Sequence, residues 1–89
     1  MSDVYFSIEI NSKKYHGYLS TTESVDPPTV FFVFLKNHLV GQLKYRSKWT
    51  FEQGGRYNML GRLNSGQCDH IADYLRDIAA EMCGQVGIQ

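Results

Sequence analysis

Residues 29–45 read TVFFVFLKNHLVGQLKY, and the way this stretch folds decides the architecture of the chain. Thr29 to Lys36 is apolar on both parities, with Val30, Phe32 and Phe34 on one side and Phe31, Val33 and Leu35 on the other. β-Branched and aromatic residues favour extended backbone, and a strand that is apolar on both faces belongs in the middle of a sheet. Asn37-His38 predicts a two-residue loop, because Asn tolerates positive φ. Pairing outward from that loop sets Lys36 against Leu39, Phe34 against Gly41 and Phe32 against Leu43, which keeps apolar with apolar.

Outward from this hairpin, Val4, Phe6, Ile8 and Ile10 alternate with Tyr5, Ser7 and Glu9, the period-two signature of a half-buried strand. Asn11-Ser12-Lys13 supplies a turn, and Tyr15, Gly17 and Leu19 continue the alternation. Asp26-Pro27-Pro28 marks a loop over 21–28, since proline cannot donate to a ladder. After the central hairpin, Arg46-Ser47-Lys48 turns the chain, and Trp49-Thr50-Phe51 reads as a short strand with Trp49 opposite Tyr45. Residues 53–63, with Gly54, Gly55 and Gly61, read as irregular, with a short strand at 58–63 as one option.

Asn64 followed three positions later by Gln67 resembles a capping box. Cys68, Ile71, Leu75, Ile78 and Met82, with Ala72 and Ala79 beside them, form one stripe at helical spacing, and Gly84 predicts its end. The expected fold is therefore α+β: one domain over 1–89, an antiparallel meander with strands at about 3–10, 14–20, 29–36, 39–45 and 49–52, and an amphipathic helix at about 65–83 packed on one face. Its 89 residues, with 43% hydrophobic and 20% charged, are too few for two domains and too apolar for disorder.

Strand parity, with the register above, assigns Val4, Phe6, Ile8, Leu19, Val30, Phe32, Phe34, Leu39, Leu43, Tyr45, Trp49 and Phe51 to the face under the helix. It sends Tyr5, Tyr18, Phe31, Val33, Leu35 and Val40 to the opposite face, with Glu9, His16, Gln42, Lys44 and Thr50 around them. No second helix covers those six residues, and an uncovered apolar patch marks an interaction surface. The alternative is structural: a strongly curled sheet buries its own outer centre, or the segments at 21–28 and 53–63 fold across it. The functional expectation is a non-catalytic interaction or regulatory module that forms a homodimer or binds a protein partner through this face.

Nine Lys and Arg balance nine Asp and Glu, so no bulk field attracts polyanions or anionic membranes. Locally, Lys36, Lys44, Arg46, Lys48, Arg56 and Arg62 stand against Glu52 alone between residues 36 and 62. Lys44-Tyr45-Arg46-Ser47-Lys48-Trp49 interleaves cations with aromatics, the combination that grips phosphates and stacks on bases. A nucleic-acid-binding module using Lys44, Arg46, Lys48, Arg56 and Arg62 is the alternative expectation, opposed by a parity that turns Tyr45 and Trp49 inward. On the helix, Asp69, Asp73, Asp77 and Glu81 recur every four residues and read first as a solvated face, second, from their opposition to the basic strand 4 and 5 region, as a charge-complementary contact between subunits or with a partner.

Cys68-Asp69-His70 holds nucleophile, acid and base types, but neighbours on a helix diverge by about 100° and cannot converge as a triad. His16, His38 and His70 lack metal-ligand spacing, and no phosphate-loop, Gly-x-Ser-x-Gly or His-Glu-x-x-His motif is present. No catalytic residue, cofactor or metal site is expected. Cys68 and Cys83 on one helix would lie about 22 Å apart, too far for a disulfide. The start Met-Ser-Asp has no basic stretch followed by an apolar core, and the longest apolar run, Val30 to Leu35, is far below the roughly 20 residues of a membrane span. These features predict a cytoplasmic protein with no membrane partner.

Overall fold

The computed structural model describes residues 3–21, 28–55 and 59–87, with side chains described as far as Glu81. Five strands, β1 (Val4–Ile10), β2 (Lys13–Ser20), β3 (Val30–Leu35), β4 (His38–Tyr45) and β5 (Trp49–Gln53), precede one helix, α1 (Ser65–Gly87). They form an antiparallel meander in the order β1-β2-β3-β4-β5, open at both ends, so the expected α+β architecture is the observed one.

Two tight turns set the pairing. Asn11 and Ser12 have φ of 54° and 67°, and Ile10 pairs with Lys13. Lys36 and Asn37 have φ of 52° and 66°, and Leu35 pairs with His38. Positive φ at both central residues is the hairpin geometry whose twist matches that of the flanking strands. The second turn therefore sits one residue earlier than Asn37-His38, and His38 belongs to the strand.

A bulge follows. Phe34 pairs with Leu39 but Val33 pairs with Gly41, leaving Val40 unmatched in β3 while its carbonyl accepts from Gly54 N–H at 3.0 Å, and Phe31 then faces Leu43. An extra residue in one strand shifts all later pairing by one and changes which side chains share a face. The faces expected for β3 are exchanged. Phe31, Val33, Leu35 and Val40, expected on the uncovered face, are 0%, 1%, 1% and 3% exposed in the core, with Leu43, Leu19, Ile8 and Phe51. Val30, Phe32, Phe34 and Leu39, expected beneath the helix, lie half-buried on the other side. Tyr45 keeps its pairing with Trp49, yet its side chain is largely solvent-facing at the end of the sheet.

The helix begins with the expected capping box: Gln67 N–H donates to Asn64 Oδ1 at 2.8 Å, and Asn64 N–H donates to Gln67 Oε1 at 2.9 Å. Ile71, Ala72, Leu75 and Ala79 are its buried stripe, with Cys68 and Ile78 packed at the margin. Met82 and Cys83 lie beyond the described side chains, and the backbone stays helical through Gly84 to Gly87 instead of stopping at Gly84. The helix packs chiefly on β5 and β1, the two ends of the sheet. Four strand spacings in a flat sheet would separate those strands by about 19 Å, wider than a helix of about 10 Å. The sheet must therefore curl around the helix. Among the described residues no helix is long and apolar enough to cross a membrane.

Candidate functional site: the sheet face away from the helix

Alternation and register place Tyr5, Ser7 and Glu9 of β1, Lys14, His16, Tyr18 and Ser20 of β2, Val30, Phe32 and Phe34 of β3, Leu39, Gln42 and Lys44 of β4, and Thr50 and Glu52 of β5 on the face away from α1. No described helix or strand covers this face. Tyr5 pairs with Tyr18, and Tyr18 with Phe34, so three rings form a ladder across three strands. The Tyr5 and Tyr18 centroids are 5.4 Å apart and tilted by 40°, whereas Tyr18 and Phe34 stack at 4.7 Å with 3° between planes. Cross-strand aromatic pairs of this kind stabilise a sheet and present flat apolar surface. Tyr5, at 75% exposed, is the outermost rung. Beside the ladder lies a shallow depression of about 490 Å³ lined by Tyr5, Ser7, His16, Tyr18, Lys36 and Asn37.

Charges of both signs flank the apolar strip. Glu9 pairs in register with Lys14 on one side, and on the other Lys44 Nζ lies 2.9 Å from Glu52 Oε1. The Lys44 hydrogen bond and charge hold the Glu52 carboxyl below the usual carboxylate range, with a smaller contribution from Arg46. Of the residues expected to form an interface, Tyr5 and Tyr18 are on this face and Phe31, Val33, Leu35 and Val40 are not, because β3 sets Val33 opposite the buried Leu19 and the bulge turns Val40 inward. Val30, Phe32, Phe34 and Leu39 take their places.

The basic residues do not converge. Arg46 and Lys48 are exposed on the β4–β5 turn, Lys44 is tied to Glu52, Arg62 is exposed in the segment leading to α1, and Lys36 sits at the opposite end of the β3–β4 hairpin. Arg56 lies outside the described residues, as do most of the 21–28 loop and part of 53–63. Residues 59–64 contain no strand; Gln53 holds this segment instead, donating from Nε2 to the Gly61 carbonyl at 2.6 Å and accepting from Leu63 N–H at 3.0 Å. Trp49 packs inward against Phe31 with centroids 5.7 Å apart. Among the acidic helix residues, Asp73 and Asp77 lie 3.6 Å and 3.9 Å from Arg76.

Cys68, Asp69 and His70 are consecutive in the first turns of α1. Cys68 packs against the core, and burial, with Asp69 nearby, pushes its thiol pKa up, which keeps it protonated and a weak nucleophile. Among the described residues no three His, Cys, Asp or Glu side chains are grouped to hold a metal ion. A second feature had no sequence signal: Gln67, His70 and Tyr74 run along the outer edge of β1. No protein-family model, curated protein or solved structure matches the chain.

Proposed function

We propose that the protein is a non-catalytic interaction module whose uncovered sheet face takes up the same face of a second copy. The observation that carries this reading is the Tyr5–Tyr18–Phe34 ladder, continued by Phe32, Val30 and Leu39, on a face that no described element covers. The charge pattern selects a copy of the chain as occupant. Glu9 and Glu52 match Lys14 and Lys44 in number, so two such faces meet without net repulsion, whereas a polyanion would meet two carboxylates beside the rings. Sedimentation equilibrium across a concentration series, on the wild type and on Phe32→Lys, tests the reading. A concentration-dependent dimer that Phe32→Lys abolishes supports it; a wild type monomeric at hundreds of micromolar removes it.

A second reading rests on the Tyr45 ring, 44% exposed beside Arg46 and Lys48. Cations flanking an accessible ring fit single-stranded nucleic acid, held by phosphate contacts and base stacking. Titration of labelled oligonucleotides at two salt concentrations tests it, since phosphate contacts make affinity fall steeply with salt. Absence of binding at low salt eliminates this reading and leaves the first untouched.

A further inference from the structure

The two ends of the sheet present strand edges, and α1 treats β1 in a specific way. Lys36 N–H donates to the His16 carbonyl at 2.9 Å, so the polar backbone groups of His16 point toward β3. Its partner Ser7 must then point its own N–H and C=O away from β2, and alternation does the same for Tyr5 and Glu9. Such outward groups are a template for strand addition. On this edge the Tyr74 hydroxyl donates to the Ser7 carbonyl at 2.5 Å, His70 Nε2 lies 3.4 Å from the Glu9 carbonyl, and Gln67 Nε2 donates to Asn11 Oδ1 at 2.5 Å.

The spacing explains why one helix can do this. Residues 67, 70 and 74 share a helix side and advance about 5 Å per turn, while Asn11, Glu9 and Ser7 advance about 6.6 Å per two residues in the opposite direction. The two repeats stay in step for three contacts. Ile71, Leu75 and Ala79, on the adjoining side of the helix, are buried and fix its position.

Without these contacts β1 would be self-complementary. A two-fold axis at Ser7 would pair Phe6 with Ile8, Val4 with Ile10 and Tyr5 with Glu9 of a second copy, setting apolar against apolar with no like charges opposed. We propose that His70 and Tyr74, aligned by Gln67, form an edge guard that occupies the outward carbonyls of Glu9 and Ser7 and prevents a second copy from adding along β1. The guard is independent of the interaction proposed for the uncovered face.

The test uses Phe32→Lys as parent, so that association through that face is suppressed, and compares it by sedimentation with the same chain carrying His70→Ala and Tyr74→Phe. Gln67 is left intact because it also caps the helix. Circular dichroism checks folding, and Tyr74→Phe alone, which removes only a hydroxyl, serves if the double substitution unfolds the chain. The expected result is self-association at least about tenfold tighter than the parent, lost again when Ser7→Pro removes an outward N–H that no β2 partner uses. Unchanged sedimentation of the folded guard variants, or association that survives Ser7→Pro, overturns the proposal. A parent that still associates speaks against the role of the uncovered face, and the shift between parent and guard variant is read all the same.

Discussion

The rings of Tyr18 and Phe34 lie face to face across the β2–β3 pairing, 4.7 Å between centroids and 3° between planes. Their stacking follows from the β2–β3 register, which sets Phe34 opposite Tyr18 on the side away from the helix and Val33 opposite the buried Leu19. The Val40 bulge then lets β4 keep Leu39 opposite Phe34 on the outer face while Leu43 joins Phe31 in the core.

The buried helix stripe predicts a large effect at Leu75, which is fully buried beneath the sheet. Leu75→Ala should lower stability by about 2 to 5 kcal/mol in denaturant titration. Asp73→Ala removes an exposed carboxylate 3.6 Å from Arg76 and should change stability by less than about 0.5 kcal/mol. Equal, small losses would mean that the helix does not dock as described.

Gly17 predicts a backbone constraint. It sits between Phe6 and Leu35 in the sheet, where an added methyl would run into the Phe34 carbonyl oxygen and lie 2.7 Å from Leu35 Cδ2. Gly17→Ala should destabilise by about 1 to 3 kcal/mol through overpacking. An unchanged melting temperature would contradict the close approach of β2 and β3.

The helix cap gives a smaller, local prediction. Asn64→Ala removes the acceptor of the Gln67 N–H and should cost about 1 kcal/mol, whereas Asn64→Asp should retain most of the stability. Thermal unfolding of the two variants against wild type distinguishes the cap from a bystander.

The Lys44–Glu52 pair predicts a pH dependence. The carboxyl titrates lower in the folded chain than in the unfolded one, so its contribution is present above the unfolded pKa and is lost as pH falls toward the folded value. Carboxyl NMR titration should show the Glu52 midpoint below the ordinary glutamate range and rising in Lys44→Met. A midpoint indifferent to that substitution would show that the ion pair at 2.9 Å is not maintained in solution.

The sequence carried the strand order, the helix and its cap, because alternation, turn residues and the Asn64–Gln67 spacing are local signals. It did not carry the faces of β3. Residues 30–35 are apolar on both parities, so burial of Phe31 or of Phe32 fits the composition equally well, and neither Lys36 at positive φ nor the bulged Val40 follows from a local preference. The β2–β3 register, with Leu19 opposite Val33 and Tyr18 opposite Phe34, and the one-residue shift at Val40 put Val30, Phe32 and Phe34 on the uncovered face and Phe31, Val33 and Leu35 in the core. The row of Gln67, His70 and Tyr74 against β1 was equally hidden, since it joins residues 56 to 67 positions apart.

Isotope-filtered NMR on a mixture of labelled and unlabelled protein, which detects contacts between molecules only, tests whether two copies meet through the uncovered sheet face. Such a meeting gives intermolecular contacts among the ring protons of Tyr5, Tyr18, Phe32 and Phe34. Intermolecular contacts confined to the outer side of the helix at Asp69, Asp73 and Asp77, or their absence at millimolar concentration, would contradict it.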